Sequence, residues 1–508
     1  MSRMYVLDAI KMTTADEETI DKLGIDQAVL MERAALAVAD CVRSYQPKKV
    51  LCVCGSGNNG GDAVATARIL IMQGIRADVF LCSELTKCKS SVQKQYDIFR
   101  NVGGKTVTDM NFGEYDIIVD GIMGVSLRAR HVEGFYEETV GCINNAAEKG
   151  SVVIAVDIPT GIHADTGVIM NAAVHAKETV AFAYYKPGHL LYPGAEYCGK
   201  VTVADIGIRY EFVRQKTELM TFTVPKDEQR ISLPERKRDG NKGTFGRILV
   251  IAGSSAMYGA CYLAALSALR MGAGLVNIYT HEVNKSAIQN MLPEAILHTY
   301  DDGGIDKEEL CKLMKRADCV VLGPGLSTNQ TAMDLVKTVL DHCDKTIVAD
   351  ADALNCIALN PGWLDYRKER DCSEMIITPH PGELSGLTGM TVAELKEDYI
   401  NIVKKYAMEH RLIVVGKGAG TVVSDGKLVY INQSGNDGMA TAGSGDVLSG
   451  IIAALCANDV SAFHAAWKGV FLHGKAGDYA TKDIGNTSLI ASDILDALPM
   501  ILKEENGF

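Results

Sequence analysis

The feature that most limits the fold of this chain is an alternation of short, near-continuous apolar runs with helical patterns. The runs are Lys49–Cys54, Ala77–Cys82, Ile117–Asp120, Val152–Asp157 and Val201–Asp205, then Ile248–Ala252, Leu275–Tyr279, Cys319–Leu322, Thr346–Ala349, Met375–Ile377 and Leu412–Val415. Strands that are apolar on both faces need cover on both faces, which is the condition of a parallel sheet sandwiched between helices. Ligand sites in such sheets form beyond the carboxyl ends of the strands. The rhythm breaks across Arg214–Gly246, a charged stretch that contains Pro225 and Pro234. At 508 residues the chain exceeds what one core holds, about 250–300 residues. Domains over residues 1–222 and 223–508 are therefore expected, and no internal repeat relates them. Arg236-Lys237-Arg238 and Lys242 read either as a solvated linker or as the edge of a phosphate site.

Bulk properties narrow the partners. A hydrophobic share of 47% with 22% charged residues is ordinary for a soluble globular protein. The net charge of −12 argues against nucleic acid or an anionic membrane surface, so an anionic ligand would have to be held by local N–H nests. The first residues carry Asp8, Asp16, Glu17, Glu18 and Asp21, unlike a signal or transit peptide. No apolar run is long enough to span a membrane. The cysteines lack metal or disulfide spacing, and Cys52-Val53-Cys54 reads as buried strand. Free thiols fit a reducing cytoplasm.

In the carboxy-terminal half, Asn436-Asp437-Gly438-Met439-Ala440-Thr441-Ala442-Gly443-Ser444-Gly445-Asp446 runs into the apolar helical stretch Val447–Leu455. Small residues ahead of a helix leave backbone N–H groups unpaired at the positive end of its dipole, a place for a phosphate. A carboxylate there is costly unless it works. Asp446 therefore reads as a general base, taking a proton from a hydroxyl while the nest holds a phosphoryl group. Alone, the tetrapeptide would read as a loop with an Asp cap. Other strand exits join it: Gly253 to Ala260, Gly323-Pro324-Gly325, Asp350-Ala351-Asp352, Thr378 to Leu384, and Lys417-Gly418-Ala419-Gly420-Thr421. If extended, Asp350 and Asp352 would point to one face. His380 alone is more often structural and Lys417 alone a surface charge; beside the nest they read as one site.

In the amino-terminal half, Val50 to Asp62 reads as strand, glycine-rich turn and a helix from about Ala63 to Gly74. The doubled Asn58-Asn59 departs from the usual dinucleotide fingerprint and offers amide oxygens to a hard cation. Asp120 and Asp157 end two further strands and point to a shared site.

At Gly55–Asp62 and Asp157-Ile158-Pro159-Thr160-Gly161 the chain resembles the YjeF amino-terminal family, whose activity is epimerisation of hydrated NADH and NADPH. That resemblance implies nucleotide contacts from Asn58, Asn59, Gly60, Gly61 and Asp62. It implies a loop of Gly124, Val125, Ser126, Leu127, Arg128, Ala129 and Arg130 closing over the ligand, and a K+ ion on Asn59, Asp120 and Thr160. Asp157 would meet the nicotinamide and take part in proton transfer. Residues 223 to 500 are similar to the ribokinase-like superfamily, in its ADP- or ATP-dependent NAD(P)HX dehydratase branch. By that likeness Gly259, Ala260, Gly325, His380 and Asp446 would contact NAD(P)HX. Lys417, Gly418, Ala419, Gly420, Thr421, Asn436, Ala442, Gly443, Ser444 and Gly445 would hold the nucleotide, with Glu383 organising Mg2+ through water. The resemblance as a whole implies an α/β chain of two domains, a Rossmann-like parallel α/β/α sandwich and a ribokinase-like α/β/α domain. Together they would repair NADHX and NADPHX, first by epimerising R and S forms, then by phosphorylating the C6 hydroxyl of the S form and expelling phosphate. ADP is the expected donor over ATP. A homo-oligomer is expected, with neither nucleic acid nor membrane as partner. The rival reading is a small-molecule kinase carrying a non-catalytic nucleotide-binding module.

Overall fold

The computed structural model describes residues 4–125, 131–209, 220–226, 231–368 and 373–505. The chain divides into two compact units, Met4–Met220 and Thr221–Phe508.

The amino-terminal unit is built on strands β1 (Lys49–Cys54), β2 (Arg76–Leu81), β3 (Lys105–Val107), β4 (Ile117–Gly121), β5 (Val152–Val156), β6 (Glu178–Phe182) and β7 (Lys200–Ala204). They lie in the order β3-β2-β1-β4-β5-β6-β7, and every neighbouring pair is parallel. Side chains alternate across the sheet. Val50, Cys52 and Cys54 enter one apolar cluster with α1 (Ala9–Asp21), α2 (Gln27–Ser44) and α3 (Asn58–Met72), while Leu51 and Val53 enter another with α4 (Phe135–Glu148). Two clusters on two faces are what the unbroken apolar runs demand. Helix α3 is buried on nearly every side from Gly60 to Leu70. It starts at Asn58, earlier than the expected Ala63, so the doubled Asn and doubled Gly form its first turn. The helical pattern in the sequence is blurred there because glycine weakens helix propensity.

The carboxy-terminal unit holds β8 (Thr221–Thr223), β9 (Arg247–Ile251), β10 (Leu275–His281), β11 (Ile296–Tyr300), β12 (Cys319–Leu322), β13 (Thr346–Ala349), β14 (Met375–Ile377), β15 (Ile413–Gly416), β16 (Val422–Ser424) and β17 (Val429–Ile431). Their order is β8-β17-β16-β15-β14-β13-β12-β9-β10-β11. All pairs are parallel except β15 with β16 and β16 with β17. Helices α5 (Tyr258–Arg270), α6 (Ser444–Ala457) and α7 (Ala462–Ile484) pack their apolar faces against Ile248, Val250 and Val321, with Trp467 fully buried among them. Truncating such a residue costs about 3–5 kcal/mol. Arg236 stacks over Phe245 at 3.9 Å and donates to the Gly272 carbonyl at 2.8 Å. That places it near the start of β9, at the opposite end of the strand from its carboxyl exit. Among the described residues, no helix is long and apolar enough to cross a membrane.

Candidate active sites

In the amino-terminal unit a cavity of about 590 Å³ opens at the carboxyl ends of the strands. Its lining includes Asn58, Asn59, Asp62, Gly124, Val125 and Asp157, residues from three separate strand exits. Ser126, Leu127, Arg128, Ala129 and Arg130 lie outside the described residues. The start of α3 has no side-chain cap and no acid in its first turn, so its leading N–H groups are available to an anion. Gly60 is required by close approach: a Cβ there would lie 2.0 Å from the Gly55 carbonyl oxygen.

Behind the cavity, Asp120 is completely buried. Its carboxylate accepts from the Thr160 N–H at 2.8 Å, the Thr160 hydroxyl at 2.7 Å and the Ile122 N–H at 3.2 Å. Burial pushes its pKa up to about 6, and these hydrogen bonds oppose the rise. Asn59 turns its amide toward Gly124, where a Cβ would sit 3.1 Å from Oδ1. Its Nδ2 is buried without a hydrogen-bond partner.

Asp157 stands at the end of β5 with φ of 64°, a conformation unusual outside glycine. Its Oδ1 accepts from the Phe182 N–H at 2.8 Å and from the Lys186 ammonium. Asp62 and Asp16 are its acidic neighbours. Burial, then Asp157 and Asp16, raise Asp62 well above the usual carboxylate range. Burial, then Glu17 and Asp157, raise Asp16, with Lys89 opposing. Sequence reading missed Asp16, Lys186 and His189. The available signal was Lys186-Pro187-Gly188-His189, a basic turn soon after β6, itself passed over because Glu178 and Thr179 interrupt its apolar run.

In the carboxy-terminal unit Gly253, Gly323 to Gly325, Asp350, His380 and Lys417 all follow the carboxyl ends of parallel strands. Helix α6 begins against them. Its N-cap is Gly443 at φ of 87°, with no side-chain cap; the Ser444 N–H turns back to the Thr441 carbonyl at 3.4 Å, and the Gly445 and Asp446 N–H groups are open among the described residues. Asp446 lies in that first turn. Its pKa is pushed up to about 7 by burial first, then by Asp350, with Lys417 opposing and Asp352 and Glu383 adding.

Lys417 does not reach out as a free phosphate ligand. Its ammonium contacts Asp350 at 2.7 Å and Glu383 at 3.9 Å. A Cβ on Gly445 would lie 3.1 Å from that ammonium and 3.4 Å from Asp350 Oδ2, so the pair sits directly against the helix start. The expectation that Asp350 and Asp352 share a face fails. Ala351 between them has φ of 49°, which breaks the extended path. Asp352 instead accepts from the Ser327 N–H at 2.7 Å.

The remaining expected residues fall at the same edge in different roles. Gly418 and Thr421 close their turn on each other, with Gly418 N–H to Thr421 Oγ1 at 3.2 Å. Asn436 donates to Asp478 at 3.0 Å and accepts from the Gly438 N–H at 3.1 Å. Ser444 Oγ meets His473 Nε2 at 3.3 Å, and burial lowers that imidazole to about 4, so it is neutral. Ala442 is exposed at the approach to α6. Gly259 and Ala260 open α5, and Gly325 lies against them, a Cβ there coming 3.0 Å from that of Ala260. His380 is a helix cap for Pro381–Thr388: its Nδ1 accepts from the Gly382 and Glu383 N–H groups at 3.0 and 3.3 Å. Glu383 returns the bond, accepting from the His380 N–H at 2.8 Å.

Comparison with known proteins adds independent findings. Residues 248–500 match the family described as NAD(P)H-hydrate dehydratase, and residues 27–188 match the YjeF-related protein N-terminus. A bifunctional NAD(P)H-hydrate repair enzyme of Moorella thermoacetica is 36% identical, over 98% of this chain and 97% of its own. One from Thermofilum pendens is 34% identical, over 98% and 96%. Among solved structures, a ribokinase-like superfamily protein from Enterococcus faecalis is 25% identical with a TM-score of 0.50, covering 56% of this chain and 96% of that one.

Proposed function

The chain belongs to the bifunctional NAD(P)H-hydrate repair enzyme family, and we propose from that premise how its residues divide the two reactions. The unit Met4–Met220 interconverts the R and S forms of NADHX and NADPHX. The unit Thr221–Phe508 dehydrates the S form at the expense of ADP or ATP. The observation that carries this reading is the pairing of Asp446, held near neutrality at about 7, with the uncapped start of α6. A base at that value takes a proton readily at working pH, and the open N–H groups receive the charge that develops on a transferred phosphoryl group.

In the dehydratase, Asp446 accepts the proton of the C6 hydroxyl as that oxygen bonds to the terminal phosphorus of the nucleotide. The phosphorus–oxygen bond to the nucleotide's leaving phosphate breaks. The phosphorylated ring then expels inorganic phosphate with the nitrogen lone pair, and loss of a ring proton restores the dihydropyridine. Gly443, Ser444 and Gly445 face the phosphates, and Asn436 with Lys417–Thr421 frames the nucleotide. Gly259, Ala260, Gly325 and His380 line the substrate side. The carboxylates of Asp350 and Glu383 fit a Mg2+ ion through water by their oxygen chemistry, although both already engage Lys417. Mg2+ there supplies neutralisation of phosphate charge.

In the epimerase, Asn58 to Asp62 and the loop after Gly124 hold the nucleotide, and Asp157 exchanges a proton at the nicotinamide. Asn59, Asp120 and Thr160 fit a K+ ion: Asp120 is fully buried, its charge is held by hydrogen bonds, and the donors are hard oxygens. K+ supplies a compensating charge beside an acidic cavity.

Recovery of absorbance at 340 nm from an R/S mixture of NADHX, with Mg2+, K+ and either nucleotide, tests the whole reading. Full conversion is expected, faster with ADP. Conversion that halts when the S form is exhausted removes the epimerase assignment. No conversion removes the dehydratase assignment and returns the kinase reading.

A further inference from the structure

The cation nearest Asp157 is not on the cavity wall. Lys186 is fully buried and donates to Asp157 Oδ1 and, at 3.0 Å, to the Phe182 carbonyl. The Phe182 N–H reaches the same Oδ1 at 2.8 Å. Two donors occupy one carboxylate oxygen, and Oδ2 has no hydrogen-bond partner among the described residues, while Asp157 itself lines the cavity. The backbone is braced as firmly. His189 Nδ1 accepts from the Lys186 N–H at 3.1 Å, which leaves the proton on Nε2, and Nε2 donates to the Asp157 carbonyl at 2.8 Å. Burial, then Lys186, lowers this imidazole to about 3, so the tautomer stays neutral. The Asp157 N–H is bonded to the Val180 carbonyl at 2.9 Å.

We propose that Lys186 and His189 are positioning residues of the epimerase: they fix the strained Asp157 so that Oδ2 alone is presented to the nicotinamide end of the substrate. The proposal rests on Asp157 being the proton-transfer residue. Neither residue touches substrate. Lys186 acts by occupying Oδ1, and His189 by holding the peptide at its positive φ. A buried ammonium is costly to retain unless paired, and here its partner is the one carboxylate that the chemistry needs oriented.

The test follows conversion of purified R-NADHX to the S form by chromatography, with no nucleotide, in the full chain. Lys186→Met is expected to lower kcat about 100-fold while KM stays within about threefold. Lys186→Gln, whose amide still donates to Oδ1, is expected to recover about tenfold of that loss. Parent-like kcat in Lys186→Met overturns the proposal, as does a loss that appears in KM alone. If Lys186→Met does not fold, Lys186→Gln decides: its kcat must fall with KM held, and a parent-like kcat overturns the proposal. Asp157→Asn run beside them separates the two ideas. An active Asp157→Asn chain removes the Asp157 reading itself. An inactive one with parent-like Lys186 variants removes only the positioning role.

Discussion

The two sites are assembled from the same parts and wired differently. Each lies at the carboxyl edge of a parallel sheet, beside an uncapped helix start, among buried carboxylates with one inward-facing lysine. In the amino-terminal unit the lysine pairs directly with the candidate proton-transfer residue, Lys186 with Asp157. In the carboxy-terminal unit Lys417 pairs with Asp350, and Asp446 stands outside that pair, pushed up to about 7 by burial first and then by Asp350, with Lys417 opposing. The ammonium is therefore placed differently: in one site it orients the proposed proton-transfer carboxylate itself, in the other it binds that carboxylate's neighbour.

Removing each proposed base breaks this comparison most severely. Asp446→Asn should lower dehydration of S-NADHX about 1,000-fold, within the range for a lost general base. Nucleotide binding by calorimetry and R-to-S conversion should stay at parental levels. Asp157→Ala should do the reverse, abolishing R-to-S conversion while S-NADHX is dehydrated at the parental rate. If both activities fall together in a folded chain, the division of labour is wrong.

Lys417→Met sharpens the contrast. Lys417 holds the Asp446 pKa down, so its loss should move the acid limb of the dehydration profile to higher pH. For an upward move of about one pKa unit the rate at pH 7 should fall about fivefold, as the ionised fraction drops from about one half to about one eleventh, and recover partly by pH 8.5. An unmoved limb would detach Lys417 from Asp446. In the parent chain, dehydration should rise through about pH 7 as Asp446 loses its proton, measured with saturating nucleotide.

The smallest expected effect is on stability. The folded-state value of Asp446 lies above its ordinary 3.8, so ionisation is penalised in the folded chain. That penalty is absent below pH 3.8 and is complete above about pH 7. Asp446→Asn should therefore raise the melting temperature of its transition by a few degrees at pH 8 and much less at pH 5. A gain of equal size at both values would point to packing instead.

Much of the fold was legible because doubly covered strands write unbroken apolar runs. Strands with polar or short edges escaped: Glu178–Phe182 opens on Glu and Thr, Ile296–Tyr300 is only partly buried at the sheet margin, and Val422–Ser424 is brief. The candidate site residues are readable where the chain bends at glycine before a helix, as at Gly443 and Gly445. What sequence could not supply was pairing across loops. Lys417 looked free until Asp350 met it, and the two-residue spacing of Asp350 and Asp352 misled because Ala351 leaves the extended path. Lys186 and His189 act on Asp157 across a strand and a turn, a distance that no local pattern records.

Each unit also carries apolar clusters of its own, drawn from residues of that unit alone. For heredity this means that a lesion in one half need not silence the other. Two defective chains, one altered at Asp157 and one at Asp446, should together clear an R/S mixture that neither clears alone, because the S form made by one chain is substrate for its sibling.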